Sequence, residues 1–129
     1  MSYKCLRILI AEEQNVLRLR IEKSLGELGY RAFTTARSLR ELLALTHYSS
    51  DPFEQFDLMI INGELLVAAG IDPVRFFQSN PQIRHGVIHD ARRGQPQAEI
   101  IYATHRRQLS LIRTADRQTL SPLLEQLDA

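Results

Sequence analysis

Apolar residues along this chain follow two alternating rhythms. The first is the short apolar run. Leu6-Arg7-Ile8-Leu9-Ile10-Ala11 and Asp57-Leu58-Met59-Ile60-Ile61-Asn62 have the length and composition of buried strands, and Gly86 to Asp90 and Gln108 to Arg113 read the same way. Arg31 to Ala36 is a weaker strand. The second rhythm is helical. Leu17, Ile21, Leu25 and Leu28 recur at helical spacing, and Gly29 closes that helix. Ser38-Leu39-Arg40-Glu41 is a capping box that opens a helix through Leu42, Leu43 and Leu45. Asp72-Pro73 starts a short helix carrying Val74, Phe76 and Phe77, and Asn80-Pro81 stops it. A last helix runs through Leu120, Leu123, Leu124 and Leu127, with Pro122 near its start or kinking it.

His47 to Phe56 and Arg92 to Pro96 read as loops. Gln97 to His105 reads as a helix entered after Pro96. The alternative is a hairpin, because Glu99-Ile100-Ile101-Tyr102 is followed by His105-Arg106-Arg107. On the helical reading, five strands alternate with five helices. That order implies an α/β fold, a five-stranded parallel sheet with helices on both faces, forming one domain over residues 1–129. Sites in such sheets form beyond the carboxyl ends of the strands. Those ends carry Glu12-Glu13, Asn62, Asp90 and Arg113.

Composition narrows the function classes. The net charge is only +1, which does not predict nucleic-acid binding. Cys5 is the only cysteine, so no internal disulfide forms, and a reducing cytoplasm fits best. No apolar run approaches a membrane span, and no signal peptide is visible. No glycine-rich phosphate loop or nucleophile elbow is present, and His47, His85, His89 and His105 lack metal-ligand spacing; they are expected to be core or solvated residues. No output domain is expected after Leu127.

The strand-end residues carry a resemblance. From Leu6 to Leu127 the chain resembles the receiver domains of bacterial two-component response regulators, the CheY-like members of the flavodoxin-like fold. Arg7 to Glu13 resembles the family's first strand with its acidic pair, and Asp57 to Asn62 the strand that ends in the phosphorylated aspartate. Asn62 lies 28 residues before Asp90 and 51 before Arg113, about the family's distances to its switch hydroxyl and invariant lysine. The resemblance implies a three-layer sandwich and a signalling role in a phosphorelay.

The same positions depart from the family pattern. Glu12 and Glu13 stand for the metal-binding acids, Asn62 for the phosphate acceptor, Asp90 for the hydroxyl and Arg113 for the lysine, with Thr114 in place of the following proline and Ser110 in place of the switch aromatic. A neutral amide is a poor nucleophile and adds no charge to a metal site, so Mg²⁺ at Glu12 and Glu13 should be weak at most. Asp57 reads as the acid that opens its strand, and Glu64 sits on a loop, so neither replaces the acceptor. Arg113 is expected to bridge Glu12 and Glu13 and, with Asp90, to close a charge network. The expectation is a degenerate, phosphorylation-independent receiver that is not an enzyme and takes no cofactor. Its partner would be a signalling protein or a second copy, met on the face of the fourth helix, fifth strand and fifth helix through Arg106, Arg107, Ser110 and Arg117. Neither nucleic acid nor membrane is expected as a partner. A different reading is a switch driven by a small anion held at Arg113.

Overall fold

The computed structural model describes residues 6–46, 56–93 and 97–127. Cys5, nearly all of the polar loop after His47, and Gly94 to Pro96 lie outside the described residues. The elements, in chain order, are β1 (Ile8–Ala11), α1 (Asn15–Glu27), β2 (Phe33–Ala36), α2 (Leu39–Thr46), β3 (Phe56–Asn62), α3 (Gly63–Val67), α4 (Pro73–Gln78), β4 (Ile83–His89), β5 (Glu99–Ala103), β6 (Gln108–Ile112) and α5 (Arg117–Leu127). They form an α/β sandwich on one six-stranded sheet of order β2-β1-β3-β4-β6-β5. Every neighbouring pair is parallel except β5 with β6.

Strand alternation divides the core into two layers. Ile8, Ile10, Leu58, Ile60, Val87 and Ile112 face α1 and α5, where Ile21, Leu25, Leu120 and Leu124 meet them. Leu9, Met59, Ile61 and Leu109 face α2, α3 and α4, against Leu42, Leu66, Phe76 and Phe77. Both faces of the sheet are covered, which is why β1 and β3 are apolar almost without a break. The helix ends follow local chemistry. Ser38 Oγ accepts the Glu41 N–H at 3.2 Å, and the Glu41 carboxylate reaches back to the Arg37 N–H. Gly29, at φ +95°, closes α1 as a left-handed residue, and Tyr30 N–H bonds back to Leu25 O at 2.9 Å.

Two features differ from the expected layout. A short helix, α3, follows β3 directly. More consequentially, the segment expected to be a helix after Pro96 is strand β5, paired antiparallel with β6. Ile100, Ile101 and Tyr102 are β-branched or aromatic in succession and suit a pleated surface better than a helix. Ile101 is the extra residue of a bulge, since Ile100 pairs with Ser110 and Tyr102 with Leu109. Thr104 shapes the turn: its N–H donates to Arg107 O at 2.7 Å, and its hydroxyl accepts from the Arg107 N–H at 3.0 Å.

The hairpin is fastened by Arg107. Its Nη2 donates to the carbonyls of Phe77 (2.7 Å), Ile83 (2.9 Å) and Asn80 (3.1 Å), and its Cζ stands 3.9 Å over the Phe77 ring. The guanidinium thereby satisfies carbonyls at the end of α4, where a cation is also favoured by the helix dipole. Ser110 is 1 % exposed. Arg106 lies at the hairpin turn, at the amino end of β6, whereas Arg117 lies beyond its carboxyl end and pairs with Glu27 of α1 at 3.2 Å. The partner face anticipated through Arg106, Arg107, Ser110 and Arg117 is therefore not one surface. Its helix is a strand, Ser110 is interior, Arg107 is spent on backbone carbonyls, and the two remaining arginines sit at opposite ends of the sheet.

Arg107→Ala should lower the urea-unfolding stability by about 2 kcal/mol, the usual scale for charge-assisted bonds to carbonyls. Arg107→Lys should recover only part of it, because an ammonium cannot reproduce the planar fork. An unchanged unfolding midpoint in Arg107→Ala would refute the fastening role.

Candidate functional site

The carboxyl end of the sheet gathers its chemistry by parity. Ile8 and Ile10 face the α1/α5 side, and Glu12 is the next residue of that series. Leu58 and Ile60 carry Asn62 to the same side, and Val87 carries His89. Asn62 and His89 are register partners, and the pairing of Ala11 with Ile61 brings Glu12 beside Asn62. Glu12, Asn62 and His89 thus form a row across three adjacent strands.

Asn62 is the centre of that row. Its Nδ2 donates to Glu12 Oε1 at 3.1 Å, with Oε2 at 3.4 Å. Its Oδ1 accepts the Glu64 N–H at 3.0 Å and caps α3. Glu12 is 0 % exposed, and its Oε2 also accepts the Gln14 N–H at 3.0 Å, which sets the approach to α1. On the other side, His89 Nε2 stands 3.3 Å from Glu12 Oε1 without the alignment of a hydrogen bond. Burial pushes the imidazole below its ordinary value of 6.5, against the opposing pull of Glu12 and then Asp90.

The remaining strand-end residues are distributed around this row. Asp90 turns to the opposite face of the sheet. Its Oδ1 accepts the N–H groups of Arg92 (2.9 Å) and Arg93 (3.2 Å), and its Oδ2 lies so close to Gly63 that a Cβ there would stand 3.2 Å away. The β4 residue beside Asn62 is therefore His89, not Asp90. Glu13 is exposed and lines an acidic cavity of about 360 Å³ with Glu12, Asn62 and Glu64. Arg113 is exposed at the end of β6 and lines a second cavity of about 220 Å³ on the other side of Asn62. The anticipated closed network of Arg113 with Glu12, Glu13 and Asp90 divides, because Asp90 is on the far face and Glu13 is at the surface. Asp57 is the second residue of β3, and its carboxylate accepts the Arg7 N–H at 2.8 Å.

A divalent cation of the kind receivers hold does not fit this donor set. Both Glu12 oxygens are engaged by the Asn62 amide, one of them also by the Gln14 N–H, and the one oxygen of Asn62 faces the Glu64 N–H. Hard cations need several carboxylate or carbonyl oxygens turned to one point. Among the described residues, no group of three or more His, Cys, Asp or Glu side chains could hold a metal ion. Nor, among them, is any helix long and apolar enough to cross a membrane.

Glu12 and Asn62 are legible in the sequence as strand-end residues, whereas His89 reads there as a core or solvated histidine. Its signal was available: His89 shares the odd-numbered face of Val87, so it must end on the side to which Asn62 belongs once the strands are aligned.

No family model matches the chain, and no curated protein matches it. Among solved structures, the fold is similar to the N-terminal domain of a response regulator/sensory box/GGDEF 3-domain protein from Carboxydothermus hydrogenoformans. The TM-score is 0.62 at 18 % identity, over 95 % of this chain and 93 % of that one. The likeness spans the sheet and both helical layers, and it is one of fold.

Two imidazoles make stability pH-dependent. Burial also lowers His85, helped by Arg84 and opposed by Asp57. For both, the unfolded chain takes up a proton near 6.5 while the folded chain still resists it, so stability falls as pH drops from about 7 through the unfolded value and toward the lowered folded values. The melting temperature should fall across that window, and the fall should be shallower in His89→Gln. Identical pH profiles for the wild type and His89→Gln would exclude His89 as a source.

Proposed function

We propose that this chain is a receiver-like signalling module that works without phosphorylation, by contact with a protein partner. The observation that carries the reading is the bond from the Asn62 amide to the buried Glu12 carboxylate. In the fold it shares with the response-regulator domain, that strand end is where the resemblance places a phosphate acceptor. Here the position holds a group with no nucleophilic oxygen to spare, and the neighbouring acid is locked onto it. On this reading the chain is not an enzyme, takes no cofactor, and belongs to a cytoplasmic bacterial phosphorelay or two-component pathway. Its partner would be another signalling protein or a second copy, not nucleic acid or membrane. The sheet edge at β5, where Ile100 is 53 % exposed, is the surface on which such contact is expected, since an edge strand offers unpaired backbone groups to a partner's strand.

The deciding experiment is intact mass after incubation with acetyl phosphate and Mg²⁺, beside an authentic receiver. The wild-type chain should gain no phosphoryl mass; a labile adduct would overturn the reading. Asn62→Asp supplies a second test. A carboxylate in place of the amide would face Glu12 Oε1 at about the 3.1 Å of the present bond, and two like charges that close oppose each other. Stability near neutral pH should drop by about 2–4 kcal/mol, and Mg²⁺ should restore part of it in the variant alone. A variant as stable as the wild type in the absence of Mg²⁺ would mean that the amide bond is not what holds this site.

A further inference from the structure

The cavity of about 220 Å³ beyond Asn62 differs in character from the acidic one. Arg20 reaches it from α1, Arg92 from the loop after β4 and Arg113 from the end of β6. Glu64 is the acid in its lining, and it stands 3.5 Å from Arg92 Nε, so that pair is closer to neutral than the wall as a whole. Leu17 and Ile21 give it an apolar side. His89 borders it, with its Nε2 buried 3.3 Å from Glu12 Oε1.

We propose that this cavity binds a small organic anion: a carboxylate or phosphate monoester head on a short apolar body. Guanidinium groups brought in from three separate elements suit an oxyanion, because each presents a planar fork to two oxygens. The apolar side calls for more than a bare ion. The volume lies below the roughly 300–1,000 Å³ of drug-sized pockets, which limits the body to something near a single ring or short chain. At neutral pH the imidazole is uncharged, because burial holds it below its ordinary value, so the attraction comes from the arginines. The inference rests on the proposed function only in treating Asn62 as a residue that accepts no phosphoryl group.

The test is a titration of the full chain, followed by amide NMR and calorimetry, with phenyl phosphate, benzoate, inorganic phosphate and benzyl alcohol. Phenyl phosphate or benzoate should bind saturably and move the signals of Leu17, Ala91 and Thr114. The better of the two identifies the head group. Benzyl alcohol should fail for want of charge, and inorganic phosphate should bind at least about 10-fold more weakly for want of an apolar body. Arg20→Gln, at an exposed position where folding should be unaffected, should weaken binding about 10-fold or more. Shifts that stay linear to about 10 mM for both aryl anions, or binding unchanged in Arg20→Gln, would overturn the proposal. Inorganic phosphate matching phenyl phosphate would overturn the apolar part of it. The acetyl phosphate experiment is independent: a covalent adduct there removes the proposed function without producing saturable aryl-anion binding, and a failed titration leaves the mass result intact.

Discussion

The carboxyl end of the sheet depends on one interaction, the hydrogen bond from the Asn62 amide to the buried Glu12 carboxylate. A carboxylate with no exposure to water needs donors close by, and the chain supplies them from its own backbone and from Asn62. The side chain at that position must do two opposite things. It must donate to Glu12 and accept from the first turn of α3. Of the side chains of this size, only an amide does both. An aspartate could cap α3 but would set its charge against Glu12. An alanine would leave the Glu64 N–H without this cap and would take one donor from Glu12. The reversed amide would put its oxygen against Glu12 and its NH₂ against the Glu64 N–H, so the hydrogen-bond pattern fixes the orientation. Asn62 thus stabilises in a neutral form what a charged residue there would hold only with a cation beside it.

The sheet was legible in the sequence because strands buried on both faces leave a strong apolar signal. β1, β3, β4 and β6 fall on the runs that composition alone marks out, and the capping box and Gly29 fall where local chemistry puts them. The site was half legible. Glu12 and Asn62 follow from their place at the strand ends. His89 and Asp90 were exchanged because spacing along the chain does not say which of two neighbours faces the site. Parity does, but only after the strands are set in register, since a shift of one residue reverses every side chain. The network expected around Arg113 divides for the same reason, since Asp90 ends on the face opposite to Glu12.

The least legible element was β5. Its sequence carries no helical stripe, yet an order of alternating strands and helices argues for a helix there. What decides is tertiary. Without β5, β6 would be an open edge of the sheet, with unpaired backbone groups along its length. A hairpin closes that edge with local contacts, and the bulge at Ile101 adjusts its twist. Arg107 then ties the turn to the end of α4, so a residue that reads from sequence as one of a surface cluster is in fact part of the frame. The edge has moved outward by one strand rather than vanished, and Ile100 now stands on it.

Charge is organised about Asn62 in a way that a list of residues conceals. Glu12, Glu13 and Glu64 line the cavity on one side, and Arg20, Arg92 and Arg113, with Glu64 shared between the two, line the cavity on the other. In a receiver both signs serve one phosphoryl group, with a cation and a lysine converging on the same oxygens. Here the neutral amide stands between them, and Glu12 is held by its own hydrogen bonds. Those bonds go to Asn62 and Gln14. This separation of signs is part of what the proposed phosphorylation-independent function rests on, since phosphoryl transfer needs both at one point. The basic cavity suits an anion that arrives whole and leaves whole, because guanidinium groups from three elements and an apolar side line the same space. The amide at Asn62 thus stands between a cavity whose charged lining is wholly acidic and one in which three arginines meet a single acid beside the apolar side chains of Leu17 and Ile21.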